Sequence, residues 1–297
     1  MKWLLTRFRS TTLPALLIIS AIFAVGITMW WLGPAEGDKY SDLGISLGVG
    51  AAVGVSVLYV EALVGRSEAT RERRLAEEHA FIQSLVAAAD LTAINARGRS
   101  FAGILLSGRS LADGDLSQTA LDRADFRGAD LSRANLSGSR GNGLNLHGAR
   151  VDQLAARDVQ WSAANLARIV GSDVDLSGAV VTDSTFLDAR LTRAVLDRTK
   201  APGADLRRAD LSDARGELPE FDGADFRAAS LRGARLARPL LRNADLRAAD
   251  LRDATFVEPD LRGADLRDAR VDGFVIHKPI TDERTRLPEL FTGTNSH

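Results

Sequence analysis

The chain is predicted to form an all-β solenoid preceded by an α-helical transmembrane hairpin and a linker helix, and three regularities in its 297 residues point there. Of the 32 positions spaced five apart from Leu121 to Ile276, 27 hold large apolar residues, and the phase never slips. Pro219, Pro239, Pro259 and Pro279 add a second period of twenty. Ahead of both periods lie two long runs without a charge, Leu13 to Leu32 and Leu43 to Val60.

The first uncharged run has 20 residues, enough at the helical rise of about 1.5 Å per residue to cross a hydrocarbon core of about 30 Å. The second is interrupted by Glu61 but continues through Ala62, Leu63 and Val64, so the spans are placed at 13–32 and 43–64 within an anchor of residues 1–65. Lys2, Arg7 and Arg9 before an apolar stretch also resemble the start of a secretory signal. The length of the stretch, the lack of a small-x-small site after Trp30 and Trp31, and the second run favour a retained anchor. Basic residues flank the outer ends, with Arg66, Arg71, Arg73 and Arg74 after the second span, whereas the connecting loop carries only Lys39 among Glu36, Asp38 and Asp42. The positive-inside rule then puts the N-terminus and the repeat domain in the cytoplasm, on a multi-pass protein of the cytoplasmic membrane. Trp30, Trp31 and Tyr40 fall at the opposite headgroup layer.

Gly48, Gly50 and Gly54 are spaced much like a dinucleotide-binding fingerprint, but no strand precedes them and they lie inside an apolar span. Gly44 with Gly48, and Gly50 with Gly54, instead give the small-x-x-x-small spacing that lets helices approach closely in lipid. The partner in that packing is either the first span or a second copy of the chain, which leaves self-association open.

A period of five matches neither the 3.6 of a helix nor the alternation of a strand, so a turn must intervene in every unit. Two residues before each of the 32 positions, alanine appears 19 times. ADFRG, ADLSR and ANLSG follow one another from Ala124 to Gly138. This tandem A-[DN]-[LF]-x-x motif resembles the pentapeptide-repeat family. The resemblance implies a right-handed quadrilateral β-helix, four units to a square coil, with the central Leu or Phe and the preceding Ala pointing inward. The proline period agrees with a coil of twenty residues.

Eight such coils, stacked at about 4.8 Å, would make a rod roughly 40 Å long. Leu91, Phe101, Leu106, Leu111 and Leu116 keep the phase, so the solenoid is placed at 89–280, strongest from 121. A solenoid needs both ends covered. Residues 66–88 read as a charged linker and capping helix, and 281–297 as a C-terminal cap or tail holding Leu287, Leu290 and Phe291.

The chain has no cysteine, which excludes disulfides, thiolate metal sites and a thiol nucleophile. His79, His147, His277 and His297 are too dispersed for a compact metal motif, so neither metal nor cofactor is expected. A narrow coil filled by its own side chains offers no interior pocket, which argues against an enzyme. The exposed pattern is more telling. Asp205, Asp225, Asp245 and Asp265 form one column at twenty-residue spacing, and Arg207, Arg227, Arg247 and Arg267 form another two residues on. The bland reading is a self-neutralising solvated face; the sharper one is a charge-patterned docking face.

Some members of the resembled family act on DNA gyrase by imitating duplex DNA, which requires a strongly negative surface. Residues 91–280 carry a net charge of about +1, which argues against both that role and nucleic-acid binding. The expected function is a non-enzymatic, membrane-tethered interaction or scaffold module. Its partners are the bilayer, through the hairpin, and an unidentified protein. A gyrase modulator, or an accessory subunit of a channel or transporter, are the alternatives.

Overall fold

The computed structural model describes residues 90–288 continuously, together with 80–85, Ala88, 75–77 and a few isolated earlier positions. The chain divides into two compact units, Met1–His79 and Ala80–His297, and the second contains the solenoid. The spans expected at 13–32 and 43–64 lie outside the described residues except for Ala24, Thr28 and Gly54, each helical. Among the described residues no helix is long and apolar enough to cross a membrane.

One repeat explains the motif. In Ala124 to Gly128 every backbone N–H has an acceptor. Ala124 donates to the Leu121 carbonyl at 3.0 Å and closes the corner. Asp125 donates to Ile104 of the coil before at 2.8 Å, while Phe126 and Gly128 donate to Asn145 and His147 of the coil after, at 2.8 and 2.9 Å. That leaves the Arg127 N–H, which donates to the Asp125 side chain at 3.1 Å. The Asp or Asn of the motif is therefore a structural acceptor for a donor that no carbonyl reaches, as in an Asx turn.

The residues these bonds pair in register step twenty at a time. One parallel column runs Asn95, Asp115, Asn135, Ala155, Asp175, Val195, Arg215, Arg235, Thr255 and Val275, ten stacked residues. Counting from Leu121 gave eight coils. The column is longer because the ladder already begins at the Asn95–Asp115 bridge, where the motif's alanine and aspartate are degenerate but the inward phase persists.

Each fifth residue from Ala93 to Lys278 adopts positive φ, giving four corners per twenty residues. At 25 of these corners the residue is not glycine, and 13 are glycine. A left-handed conformation costs an L-residue about 1 kcal/mol or more. The solenoid accepts that cost repeatedly, because the interstrand bonds on both sides of each corner leave the backbone no alternative.

Six strands of three residues emerge from this lattice: β1 (Val170–Ser172), β2 (Arg190–Thr192), β3 (Arg215–Glu217), β4 (Arg235–Ala237), β5 (Thr255–Val257) and β6 (Val275–His277). β1 pairs with β2, and β3 to β6 form a four-stranded parallel sheet in sequence order. Proline accounts for the larger sheet. Pro219, Pro239, Pro259 and Pro279 occupy the position whose N–H would close the corner, and each follows one of the four strands. Without that donor the turn bond cannot form. The corner opens and the segment before it is extended.

The interior is a continuous apolar column in which the central Leu and Phe residues and most alanines are buried. Trp161 is 1% exposed, and its indole N–H donates to Ser139 Oγ at 3.0 Å. Ser139, Ser184 and Thr199 stand where the motif has alanine, and all three are buried. Ser184 Oγ donates to the Trp161 carbonyl at 3.0 Å and Thr199 Oγ1 to the Leu176 carbonyl at 2.8 Å, so neither hydroxyl is stranded in the core.

The helical residues 80–85 pack on the first coil. Leu85 is buried, Phe81 and Ile82 lie against the core, and the Phe81 and Phe101 rings meet edge to face at 6.2 Å. The Arg99 guanidinium sits over the Phe81 ring at 4.8 Å, and Arg109 donates to the Ala88 carbonyl. At the other end Val271, Phe274 and Ile276 are only partly buried, since no further described coil covers them.

Candidate functional site

The charged columns lie where the repeat phase places them. Asp205, Asp225, Asp245 and Asp265 are bridged in sequence, parallel and in register. The tight contact of each carboxylate is with the arginine of its own repeat. Arg207 places Nε and Nη2 on Asp205 at 2.8 Å each, and its backbone N–H also reaches Asp205, at 3.2 Å. Arg227, Arg247 and Arg267 repeat the fork on Asp225, Asp245 and Asp265, each with a shortest contact of 2.6 Å.

A second, looser contact links successive coils. Arg207 approaches Asp225 at 3.8 Å, Arg227 approaches Asp245 at 3.6 Å and Arg247 approaches Asp265 at 3.9 Å. Along these two columns, each pair of neighbouring aspartates thus has an arginine reaching both. The arginine forks hold the carboxyls of Asp205, Asp245 and Asp265 below the usual carboxylate range, and the same contacts raise the Arg207, Arg227, Arg247 and Arg267 guanidiniums above theirs. The arginines remain 41–47% exposed, so the face is paired but open to solvent.

The columns stop short of the N-terminal coils. Asp125 and Arg127 form the same fork, but the next three coils have in these places Asn145 and His147, Asn165 and Ala167, and Thr185 and Leu187. Asn145 and Asn165 still accept the N–H two residues on, at 3.1 Å each. The backbone role of this position therefore survives where its charge does not.

Sequence reasoning missed a second set of pairs at the corners. Asp113 with Arg133, Asp173 with Arg193, and Asp188 with Arg208 each join at 2.6 Å across one coil step. The signal was an acid and an arginine twenty apart in the left-handed position, a position whose side chains the motif does not specify.

A surface groove of about 330 Å³ lies among Arg157, Asp158, Ser177, Asp197, Arg198 and Glu217. Asp197 accepts the Glu217 N–H at 2.8 Å, and Arg157 is engaged with Asp175 at 2.5 Å. Among the described residues no three His, Cys, Asp or Glu side chains are grouped to hold a metal. Of the glycines expected to mediate helix packing, Gly44, Gly48 and Gly50 lie outside the described residues, and Gly54 is helical and half-buried.

Comparison with known proteins agrees with this lattice. The family model described as pentapeptide repeats matches in eight copies, over residues 100–138, 120–153, 175–213, 220–256 and 240–273. No curated protein sequence matches. Among solved structures, the chain resembles HetL, a pentapeptide repeat protein involved in heterocyst differentiation regulation in the cyanobacterium Nostoc sp. strain PCC 7120. That likeness has 24% identity and a TM-score of 0.36, and covers 67% of this chain and 92% of HetL. It also resembles trypsin-treated QnrB1, a plasmid-mediated fluoroquinolone resistance protein, at 16% identity and TM-score 0.29, over 65% of this chain and 84% of QnrB1. A third is Rfr23 from the cyanobacterium Cyanothece 51142, at 16% identity and TM-score 0.16, over 65% and 90% of the two chains. With the tandem motif, the twenty-residue ladder and the eight matched copies of the repeat model, the chain belongs to the pentapeptide-repeat family.

Proposed function

We propose that the protein is a non-enzymatic interaction or scaffold module, held at the cytoplasmic membrane by its N-terminal hairpin and binding a protein partner along the solenoid. The observation that carries this reading is the division between an interior closed by its own side chains and an exterior of charges fixed in register. Partner recognition requires ordered surface groups, and groups ordered before binding lose less entropy on association. The backbone ladder and the arginine forks supply that order from Asp205 to Arg267. The membrane tether rests on the uncharged runs at 13–32 and 43–64.

The test is crosslinking and affinity capture of the detergent-solubilised full chain. Reversing Asp245, Arg247, Asp265 and Arg267 is expected to release a specific membrane-retained partner. Capture that is unchanged removes this face from consideration, and absence of any specific partner removes the reading. A gyrase-directed role is disfavoured by the near-neutral, paired surface. It requires an altered supercoiling rate when the full chain is added to gyrase, and none is expected.

A further inference from the structure

Arg215 and Arg235 are direct register partners on β3 and β4, and both are exposed. Among the described residues neither has a carboxylate within ion-pair distance, in contrast with the forked arginines of the opposite face, ten residues away in each coil. Arg215 adds to the field on Asp173, but that carboxylate is already held by Arg193 at 2.6 Å. Elsewhere in the ladder a basic residue faces an opposite charge or a neutral side chain: Arg190 is bridged to Asp210, Lys200 to Glu220 and Arg140 to Gln160. Like charges directly opposed across strands are destabilising. Here the fold retains such a pair without compensation.

The surroundings narrow what could compensate it. The sheet of β3 to β6 continues from the arginines through Thr255 to Val275, with Val257 alongside; Val275 is 40% and Val257 37% exposed. From Arg215 to Val275 is three strand spacings, roughly 14 Å, with Arg235 and Val257 on the two strands between. An extended peptide covers that distance in about four residues. Glu217, on β3 and paired with Arg238, together with the near-neutral domain, disfavours a long polyanion such as a nucleic acid.

We propose that Arg215 and Arg235 are the docking point for an acidic segment of a partner protein. Its carboxylates sit on the two guanidiniums, and an apolar side chain some four residues away covers Val257 and Val275. Charge complementarity selects the acidic end and the exposed valines fix the direction. This rests on the interaction-module reading and names the class of partner.

The test uses the full chain and a short fluorescent peptide with two glutamates followed, a few residues on, by two leucines. Fluorescence anisotropy is expected to show binding that weakens at least about tenfold when the glutamates become glutamines, or in an Arg215→Ala, Arg235→Ala double variant. Arg235→Glu is expected to weaken that peptide further and to admit its lysine counterpart. The double variant is expected to melt no lower than the parent, because it removes a repulsion. No binding, equal binding of the glutamine peptide, or equal competition by inorganic phosphate or a short single-stranded oligonucleotide overturns the proposal. Failure is distinguishable from failure of the broader reading: a partner captured equally by parent and double variant removes this docking point while leaving the module's interaction role intact.

Discussion

The Gly263 N–H donates to Asp282 Oδ1 at 2.7 Å, in the place where the corresponding N–H one coil earlier, that of Asn243, donates to the Arg262 carbonyl. A side chain has replaced a main-chain acceptor. The same carboxylate accepts the N–H groups of Arg284 and Thr285 at 3.1 and 3.0 Å, and Thr285 Oγ1 reaches the Leu261 carbonyl at 3.0 Å. The substitution lets the chain leave the twenty-residue register: Leu266 donates to Arg286, twenty residues on, rather than nineteen as in the coils before.

Asp282→Ala is therefore expected to fray the last coil and not the whole solenoid. Hydrogen exchange at Gly263, Arg284 and Thr285 should quicken, while exchange at Phe126 and Leu166 stays unchanged, since repeat stability depends on near neighbours. Asp282→Asn keeps an acceptor oxygen and should retain much of the protection.

Acid should release the same clasp. The Gly263 N–H, followed by Thr285 and Arg284, holds the Asp282 carboxyl down to about 2, below its usual 3.8. A carboxyl lowered in the fold contributes stability that is complete above the unfolded value and lost as pH falls through the folded one. Exchange at Gly263 is expected to show added opening between about pH 4 and pH 2 in the parent. In Asp282→Asn that component should be absent.

Two glycines separate steric exclusion from corner strain. A Cβ on Gly171 would stand 2.6 Å from the Val151 carbonyl carbon and 2.7 Å from its oxygen, so the neighbouring coil must move. Gly223 has open space around it but a φ of +67°. Gly171→Ala is expected to cost about 1–3 kcal/mol, as overpacking does. Gly223→Ala should cost only about 1 kcal/mol, the price of a left-handed alanine. Chemical denaturation of the full chain measures both, and a larger loss from Gly223→Ala would contradict the ranking.

The inward column and the coil length could be read from the sequence because both are strict periods in residues whose burial is obligatory. The corners could not. Leu218, Arg198 and Glu258 carry positive φ against their intrinsic preference, since the ladder on both sides outweighs a local cost that sequence propensity counts in full. The Asp and Arg columns were visible as a pattern, but the aspartate's duty toward its own repeat's N–H was not, because a charge at the surface looks solvated until its backbone neighbour is placed. Arg215 and Arg235 escaped notice for a simpler reason. They occupy the motif's Asp position on another face, where a reading organised around Asp–x–Arg does not look.

Trp161 offers a test of how the core tolerates polar atoms. It follows Gly141 in its column and is the largest fully buried side chain among the described residues, with its indole N–H on the buried hydroxyl of Ser139 in the coil before. Trp161→Phe removes volume and strands the hydroxyl, and should cost roughly 1–3 kcal/mol. Ser139→Ala strands the indole N–H and should cost roughly 1–2 kcal/mol. If the hydrogen bond couples the coils, the double variant should lose less than the two single losses together, by about 1 kcal/mol, because both polar atoms then disappear at once. Strict additivity would mean that packing alone holds Trp161. The polar exceptions in the alanine column would then be tolerated substitutions and not ties between coils.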